Sequence, residues 1–317
     1  MSLDPQVQGL LDTMAATASP PLYSMSVEDA RAGLLGMAAL GGEPQAVGSV
    51  EDRKIPGPES QIPVRIYTPE GTGPFPLLVY FHGGGWVLGN IDSHDAVCRA
   101  FTNAAGCITI SVDYRLAPEA KFPAAPEDCY AATLWTAENA SSINGDATRV
   151  AIGGDSAGGN LTAVVALMAR DRGGPKLAYQ LLIYPVTDHY TLNTPSYQAN
   201  AEGYFLTKDD MVWFWDLYVS SVDDTKHPHA SPLQAQDLSN LPPAMVITAE
   251  YDPLRDEGEM YAARLREAGN QVTARRYDGM IHGFVSFSGA VQQGKQAIED
   301  AAAALREAFR NCLPIPE

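Results

Sequence analysis

"GGDSAGGN", Gly153–Asn160, sets one serine between two pairs of glycines directly after the apolar run "RVAI" at 149–152. Glycine serves where the backbone turns sharply or another group comes close, and each one has a conformational-entropy cost on folding. Four around one hydroxyl point to a turn that larger residues would obstruct. Gly154 to Gly158 fit G-x-S-x-G, in which the serine occupies a strained junction between a strand and a helix. The N-terminus of that helix would aim free N–H groups at the hydroxyl, where they favour negative charge. A glycine-rich loop whose serine merely caps a helix satisfies the same five positions. The surrounding sequence has to decide between the two.

Outward from this stretch, short β-branched runs alternate with helical patterns. The strand candidates are "IPVRIYTP", "PLLVYF", "CITISVDY", "RVAIGG", "AYQLLIYP", "AMVITAEY" and "QVTARRY". Several are apolar at nearly every position, as strands covered on both faces are. Between them lie "SHDAVCRAFTNAA", "APEDCYAATLWTAENA", "GGNLTAVVALMARDR" and "RDEGEMYAARLREAG", with "KQAIEDAAAALREAFR" at the end. This order predicts an α/β fold with a mostly parallel sheet flanked by helices. Two stretches break the alternation: the first 45 or so residues, and an aromatic-rich insertion over about 189–240 that contains "GYFLTKDDMVWFWDLYVS". A segment of that length inside a domain is usually functional, often a lid.

Composition narrows the classes. The chain has 317 residues, 45% hydrophobic and 19% charged, enough to bury a large core. A formal charge of −17 argues against nucleic acid, which needs clustered Lys and Arg. Cys98, Cys107, Cys129 and Cys312 lack metal-ligand or paired spacing and read as free thiols. The N-terminus does not resemble a secretory signal and no apolar run is long enough to span a bilayer, so the expectation is a cytoplasmic protein with no membrane partner.

Two further motifs favour catalysis. "HGGGWVLG", His82–Gly89, follows the apolar strand "PLLVYF"; consecutive glycines there can turn N–H groups towards a tetrahedral oxyanion. Leu88 stands where G-x-G-x-x-G needs its last glycine, which argues against a dinucleotide site. Downstream, Asp252 follows "AMVITAEY" and His282 follows "QVTARRY", giving the chain order Ser156, Asp252, His282. A serine hydroxyl needs an imidazole to take its proton, and a carboxylate to orient that imidazole. Asp256 and Glu250 compete for the acid role, but Asp256 falls in the first turn of a helix, where the macrodipole alone favours a carboxylate, and Glu250 in a strand end. Asp252 is the loop residue. Of the other histidines, His94, His189, His227 and His229 read as surface or capping residues, and His82 belongs to the glycine loop.

These motifs, with "DYRLAPE" at Asp113–Glu119, "FPAAPED" at Phe122–Asp128 and "YDPLRDEG" at Tyr251–Gly258, resemble the hormone-sensitive-lipase-like, GDSAGG-type carboxylesterases of the α/β-hydrolase superfamily. The resemblance implies an α/β-hydrolase fold of eight strands, a catalytic core over 46–188 and 241–317, and a helical cap over 1–45 and 189–240. It implies Ser156 as nucleophile, His282 as base and Asp252 as orienting acid. Ala157 and two of Gly83, Gly84 and Gly85, with Gly84 and Gly85 preferred, would form the oxyanion hole. Arg115 and Glu119 are expected to hold loops. Substrate contact is expected from Trp86, Asp155, Trp213 and Phe214, with Trp215 and Tyr218 as further candidates, although aromatic residues at helical spacing also suit a cap interior. The implied activity is hydrolysis of a small-molecule ester of short to medium acyl chain, with no metal or cofactor and room for a homodimer. An amidase or a lactonase would use the same triad. A hormone receptor of the gibberellin type shares the glycine loop and serine motif, but lacks the histidine.

Overall fold

Alternate residues of the central strands are buried on opposite faces of one sheet. In a computed structural model of the protein, which describes residues 2–17 and 20–312, that sheet comprises β1 (Ser49–Pro56), β2 (Gln61–Thr68), β3 (Phe75–Phe81), β4 (Ile108–Val112), β5 (Gly145–Asp155), β6 (Tyr179–Ile183), β7 (Ala244–Tyr251) and β8 (Val272–Ile281). The spatial order is β1-β2-β4-β3-β5-β6-β7-β8. β2 runs antiparallel to both β1 and β4, and every pair from β4 to β8 is parallel. In β3, Leu77, Val79 and Phe81 join one apolar cluster, while Leu78 and Tyr80 join the other. That is the two-residue period of a strand. Each such side chain taken fully out of water contributes roughly 1.5–3 kcal/mol before entropy is counted.

Helices cover both faces. α4 (Ala124–Glu138), α5 (Ala157–Asp171) and α8 (Arg255–Glu267) supply the first cluster; α1 (Pro5–Ala16), α3 (Asp95–Ala105) and α9 (Gln292–Asn311) supply the second. The remaining helices are α2 (Val27–Gly36), α6 (Pro195–Ala199) and α7 (Lys208–Tyr218). The insertion over 189–240 thus holds α6, α7 and short 3-10 turns.

Two elements differ from the sequence reading. β1 is absent from the strand candidates because "SVEDRKIP" is charged and buries only Ile55. It lies at the sheet edge, where charged residues discourage pairing with other chains. α1 falls in the stretch expected to form a cap, yet it buries Val7 and Leu10 in the second cluster and packs beside β8, where Asp4 N–H donates to the Gly279 carbonyl at 3.1 Å. In contrast, the 3-10 turn at Leu22–Ser24 packs on α7, joining the N-terminal stretch to the insertion. The expected boundaries also run over residues 1, 18–19 and 313–317, which lie outside the described residues.

Candidate active site

The parallel strands end on one edge of the sheet, and the loops leaving β3, β5, β7 and β8 meet there. Between β5 and α5, Ser156 adopts φ +57 and ψ −119, a region that side chains other than glycine enter only when their surroundings compel it. Three hydrogen bonds do so: Ser156 N–H donates to the Ile183 carbonyl at 2.8 Å, and its carbonyl accepts from Asn160 N at 3.0 Å and Val186 N at 3.3 Å. The glycines around it let backbone meet backbone. A Cβ on Gly158 would overlap the carbonyl oxygen of Phe81 at the end of β3.

His282 and Asp252 reach the same point from the loops after β8 and β7. His282 Nε2 lies 2.8 Å from Ser156 Oγ, and Nδ1 lies 2.7 Å from Asp252 Oδ2. Asp252 is fully buried, and its other oxygen accepts Leu254 N–H at 2.9 Å. With Nδ1 donating to the carboxylate, Nε2 presents a lone pair to the hydroxyl and can accept its proton. The competing acids are engaged elsewhere. Asp256 accepts Ser196 N–H at 2.7 Å and pairs with Arg255, while Glu250 accepts Gly279 N–H at 2.7 Å. Tyr184, at φ +35, lays its ring against His282 with centroids 4.6 Å apart.

The glycine loop supplies donors. Among the described residues no acceptor takes the N–H of Gly84, Gly85 or Ala157. Gly83 is a correction to the expected set: its N–H donates to Asp155 Oδ1 at 3.1 Å and is not free for an oxyanion.

Asp155 is a second correction. Expected to touch substrate, it is buried, and Oδ1 also accepts the Tyr80 hydroxyl at 2.9 Å, while Oδ2 lies 3.3 Å from His94 Nε2. Burial pushes its carboxyl up, but His94 and the Tyr80 hydroxyl outweigh burial and hold it below the usual carboxylate range. His94 is correspondingly no surface residue, with only 5% of its area exposed. Nothing in "DSHD" separates a buried imidazole from a helix cap; only the meeting of this N-cap residue with Asp155 at the end of β5 does. His82 is fully buried against the Tyr114 ring, and burial pulls its imidazole down to about 3.

Trp86 is a third correction. It is fully buried and stacked on Tyr218 with centroids 4.2 Å apart, with Trp215 edge-on at 4.8 Å, so these three rings form interior packing. Phe214 packs directly on Gly85, and Trp213 is half-buried beside it. Arg115 grips the Asp128 carboxylate at 2.8 and 2.9 Å and also reaches Glu59, while Glu119 pairs with Arg31 of α2 at 2.7 Å. Both residues hold loops. Arg31 went unnoticed in the sequence; it also donates to the carbonyls of Val87 at 2.9 Å and Ala117 at 3.1 Å, fastening α2 to the glycine loop.

Comparison with known proteins gives a consistent picture. The family model described as alpha/beta hydrolase fold matches residues 78–286. The chain is 45% identical over 295 residues to the carboxylic ester hydrolase LipN of Mycobacterium tuberculosis, covering 90% of this chain and 77% of that protein. It is 42% identical over 315 residues to carboxylesterase NlhH of the same organism, covering 97% and 96%. Among solved structures, a hyperthermophilic esterase from Pyrobaculum calidifontis superposes with a TM-score of 0.93 at 44% identity, covering 99% of this chain and 100% of that one.

Proposed function

The chain belongs to the alpha/beta hydrolase fold family, in its hormone-sensitive-lipase-like branch, and is a carboxylic ester hydrolase; from that premise we propose that it works through an acyl-serine intermediate on esters of short to medium acyl chain. The observation that carries the mechanism is the pair of short contacts through one imidazole, Ser156 Oγ to His282 Nε2 at 2.8 Å and His282 Nδ1 to Asp252 at 2.7 Å.

In this reading Ser156 Oγ attacks the ester carbonyl carbon while its proton passes to His282 Nε2. The buried Asp252 carboxylate keeps Nδ1 as donor and stabilises the imidazolium. The carbonyl oxygen becomes an oxyanion and takes the N–H groups of Gly84, Gly85 and Ala157, aided by the N-terminus of α5. Collapse of the intermediate expels the alcohol, which receives the His282 proton. Water then repeats the sequence on the acyl-serine, with His282 as base. A receptor role is disfavoured by the presence of His282 in hydrogen-bonding reach of the serine.

For the substrate, we assign the insertion over 189–240 and the turn at 22–24 to a cover above this edge of the sheet, with Phe214 and Trp213 bounding the space beside the glycine loop. A bounded space favours acyl chains of about four to eight carbons, since each fitted methylene gains about 0.8 kcal/mol and forced ones cost roughly 1–3 kcal/mol.

The mechanism is tested by labelling with a fluorophosphonate probe. The wild type should be labelled and should hydrolyse aryl esters; Ser156→Ala should do neither while unfolding at a similar temperature. Labelling that persists in Ser156→Ala would place the nucleophile elsewhere.

A further inference from the structure

Beneath the glycine loop lies a buried polar cluster that the acyl-transfer steps do not use. Its centre is the Asp155 carboxylate, one residue before the nucleophile on β5. The Gly83 backbone is pressed so closely on this carboxylate that a Cβ there would lie 2.5 Å from Oδ2. Gly83 N–H points between Asp155 Oδ1 at 3.1 Å and His94 Nε2 at 3.3 Å. His94, at the start of α3, therefore completes the seat from the opposite side.

The proton inventory of His94 follows from its neighbours. Ser93 Oγ donates to the Asn90 carbonyl at 2.8 Å, so in its 2.9 Å contact with His94 Nδ1 the ring nitrogen is the donor. Nε2 then either accepts the Gly83 N–H or, carrying a second proton, donates to Asp155 Oδ2 at 3.3 Å. In the first arrangement the imidazole and the carboxylate share the Gly83 N–H; in the second the carboxylate alone accepts it and the imidazole orients that carboxylate. Tyr80, bonded to Asp155 Oδ1, fixes the carboxylate plane from β3. His82, with Nδ1 2.9 Å from the Gly83 carbonyl, borders the next peptide, the one whose N–H is that of Gly84. The next two N–H groups along the chain are those of Gly84 and Gly85. Their placement relative to Ser156 thus runs through one side chain adjacent to Ser156 in sequence, and through the imidazole that orients it.

We propose that His94, acting through Asp155, is a positioning residue for the oxyanion hole: it sets where the Gly84 and Gly85 N–H groups stand relative to the serine. The inference rests on the acyl-serine reading above. Donors displaced by a fraction of an ångström lose stabilisation of the tetrahedral oxyanion and little of the ground-state ester, because only the former presents a full charge.

The test compares wild type, His94→Ala, His94→Gln, Tyr80→Phe and Ser156→Ala on a short-chain aryl ester. The same panel is titrated with a trifluoromethyl ketone, which forms a tetrahedral adduct on the serine. His94→Ala should lower kcat about 10- to 100-fold with KM changed less than about threefold, and should weaken the ketone by a similar factor. His94→Gln, whose amide can donate or accept at the Nε2 position, should recover most of both losses. Tyr80→Phe, which leaves His94 in place, should give a smaller loss in the same two quantities and guards against misfolding of the alanine variant. Unchanged kcat and ketone affinity in folded His94→Ala, with Ser156→Ala inactive, would overturn the positioning role and leave the acyl-serine reading intact. A KM rise that matches the fall in kcat/KM would overturn it equally. Activity retained by Ser156→Ala would instead remove the premise.

Discussion

At Asp252 the carboxylate is shut away from water and bonded to both a backbone N–H and an imidazole. Asparagine at this position would offer an amide N–H to Nδ1 or hold the ring in the other tautomer, leaving Nε2 without a lone pair for the serine. Asp252→Asn should therefore lower kcat on the order of 10⁴-fold, as such a change does in other triads. Asp256→Asn, where the carboxylate serves Ser196 N–H and Arg255 and has no contact with His282, should cost less than about tenfold. Steady-state kinetics on one aryl ester decides between them, and a reversed ranking would reassign the acid.

Among the elements, α8 carries a feature that sets a stability trend. Glu257 is fully buried, and one oxygen accepts the N–H groups of Thr187 at 2.7 Å and Asp188 at 3.3 Å in the loop after β6. Burial pushes its carboxyl well above the usual range, with the nearby acids Asp188 and Asp252 adding to it and the two backbone donors opposing. The folded chain therefore holds this proton where the unfolded chain releases it. Proton linkage makes the unfolded state gain on the folded one as pH rises above the unfolded carboxyl value of roughly 4.3. Stability from Glu257 is present below that pH and declines above it until the folded group ionises. Glu257→Gln keeps an acceptor for both N–H groups and has no proton to lose. Its melting temperature relative to wild type should climb steadily between about pH 5 and pH 8; a difference independent of pH would show that the carboxyl is ionised in the fold.

For the whole molecule the quantity to measure is how much acyl chain the proposed site accepts. If each fitted methylene contributes about 0.8 kcal/mol, kcat/KM should rise roughly fourfold per methylene and then fall where the chain meets packed rings. Butyrate, hexanoate and octanoate esters should be hydrolysed well, and palmitate poorly. A triolein emulsion should also be a poor substrate, because its long chains exceed the proposed acyl space. Palmitate or triolein as the best substrate would replace the bounded pocket with an open lipid-facing groove.

Local sequence singled out Ser156, Asp252 and His282, which the fold brings within hydrogen-bonding reach of one another, and the parallel order of the core. Each depends on short-range physics: the glycines that admit the Ser156 turn, the apolar runs of strands buried on both faces, and loops that follow strand ends. Asp252 was separable from Asp256 and Glu250 because helix start, strand end and loop leave different marks along the chain. The edge strand β1 left none, since a strand with one buried residue has no apolar period to read. Tertiary packing alone decided the rest. Whether an aromatic side chain lines a pocket or fills an interior depends on what stands opposite it, so Trp86 and Tyr218 were legible only as a stacked pair. Asp155 and His94 lie 61 positions apart, and their union comes from the crossover that leaves β3 and, through α3, returns the chain to β4, while β5 pairs with β3 on its other side. No local pattern encodes that meeting, because the hydrogen bonds that bury both groups exist only once the sheet has formed.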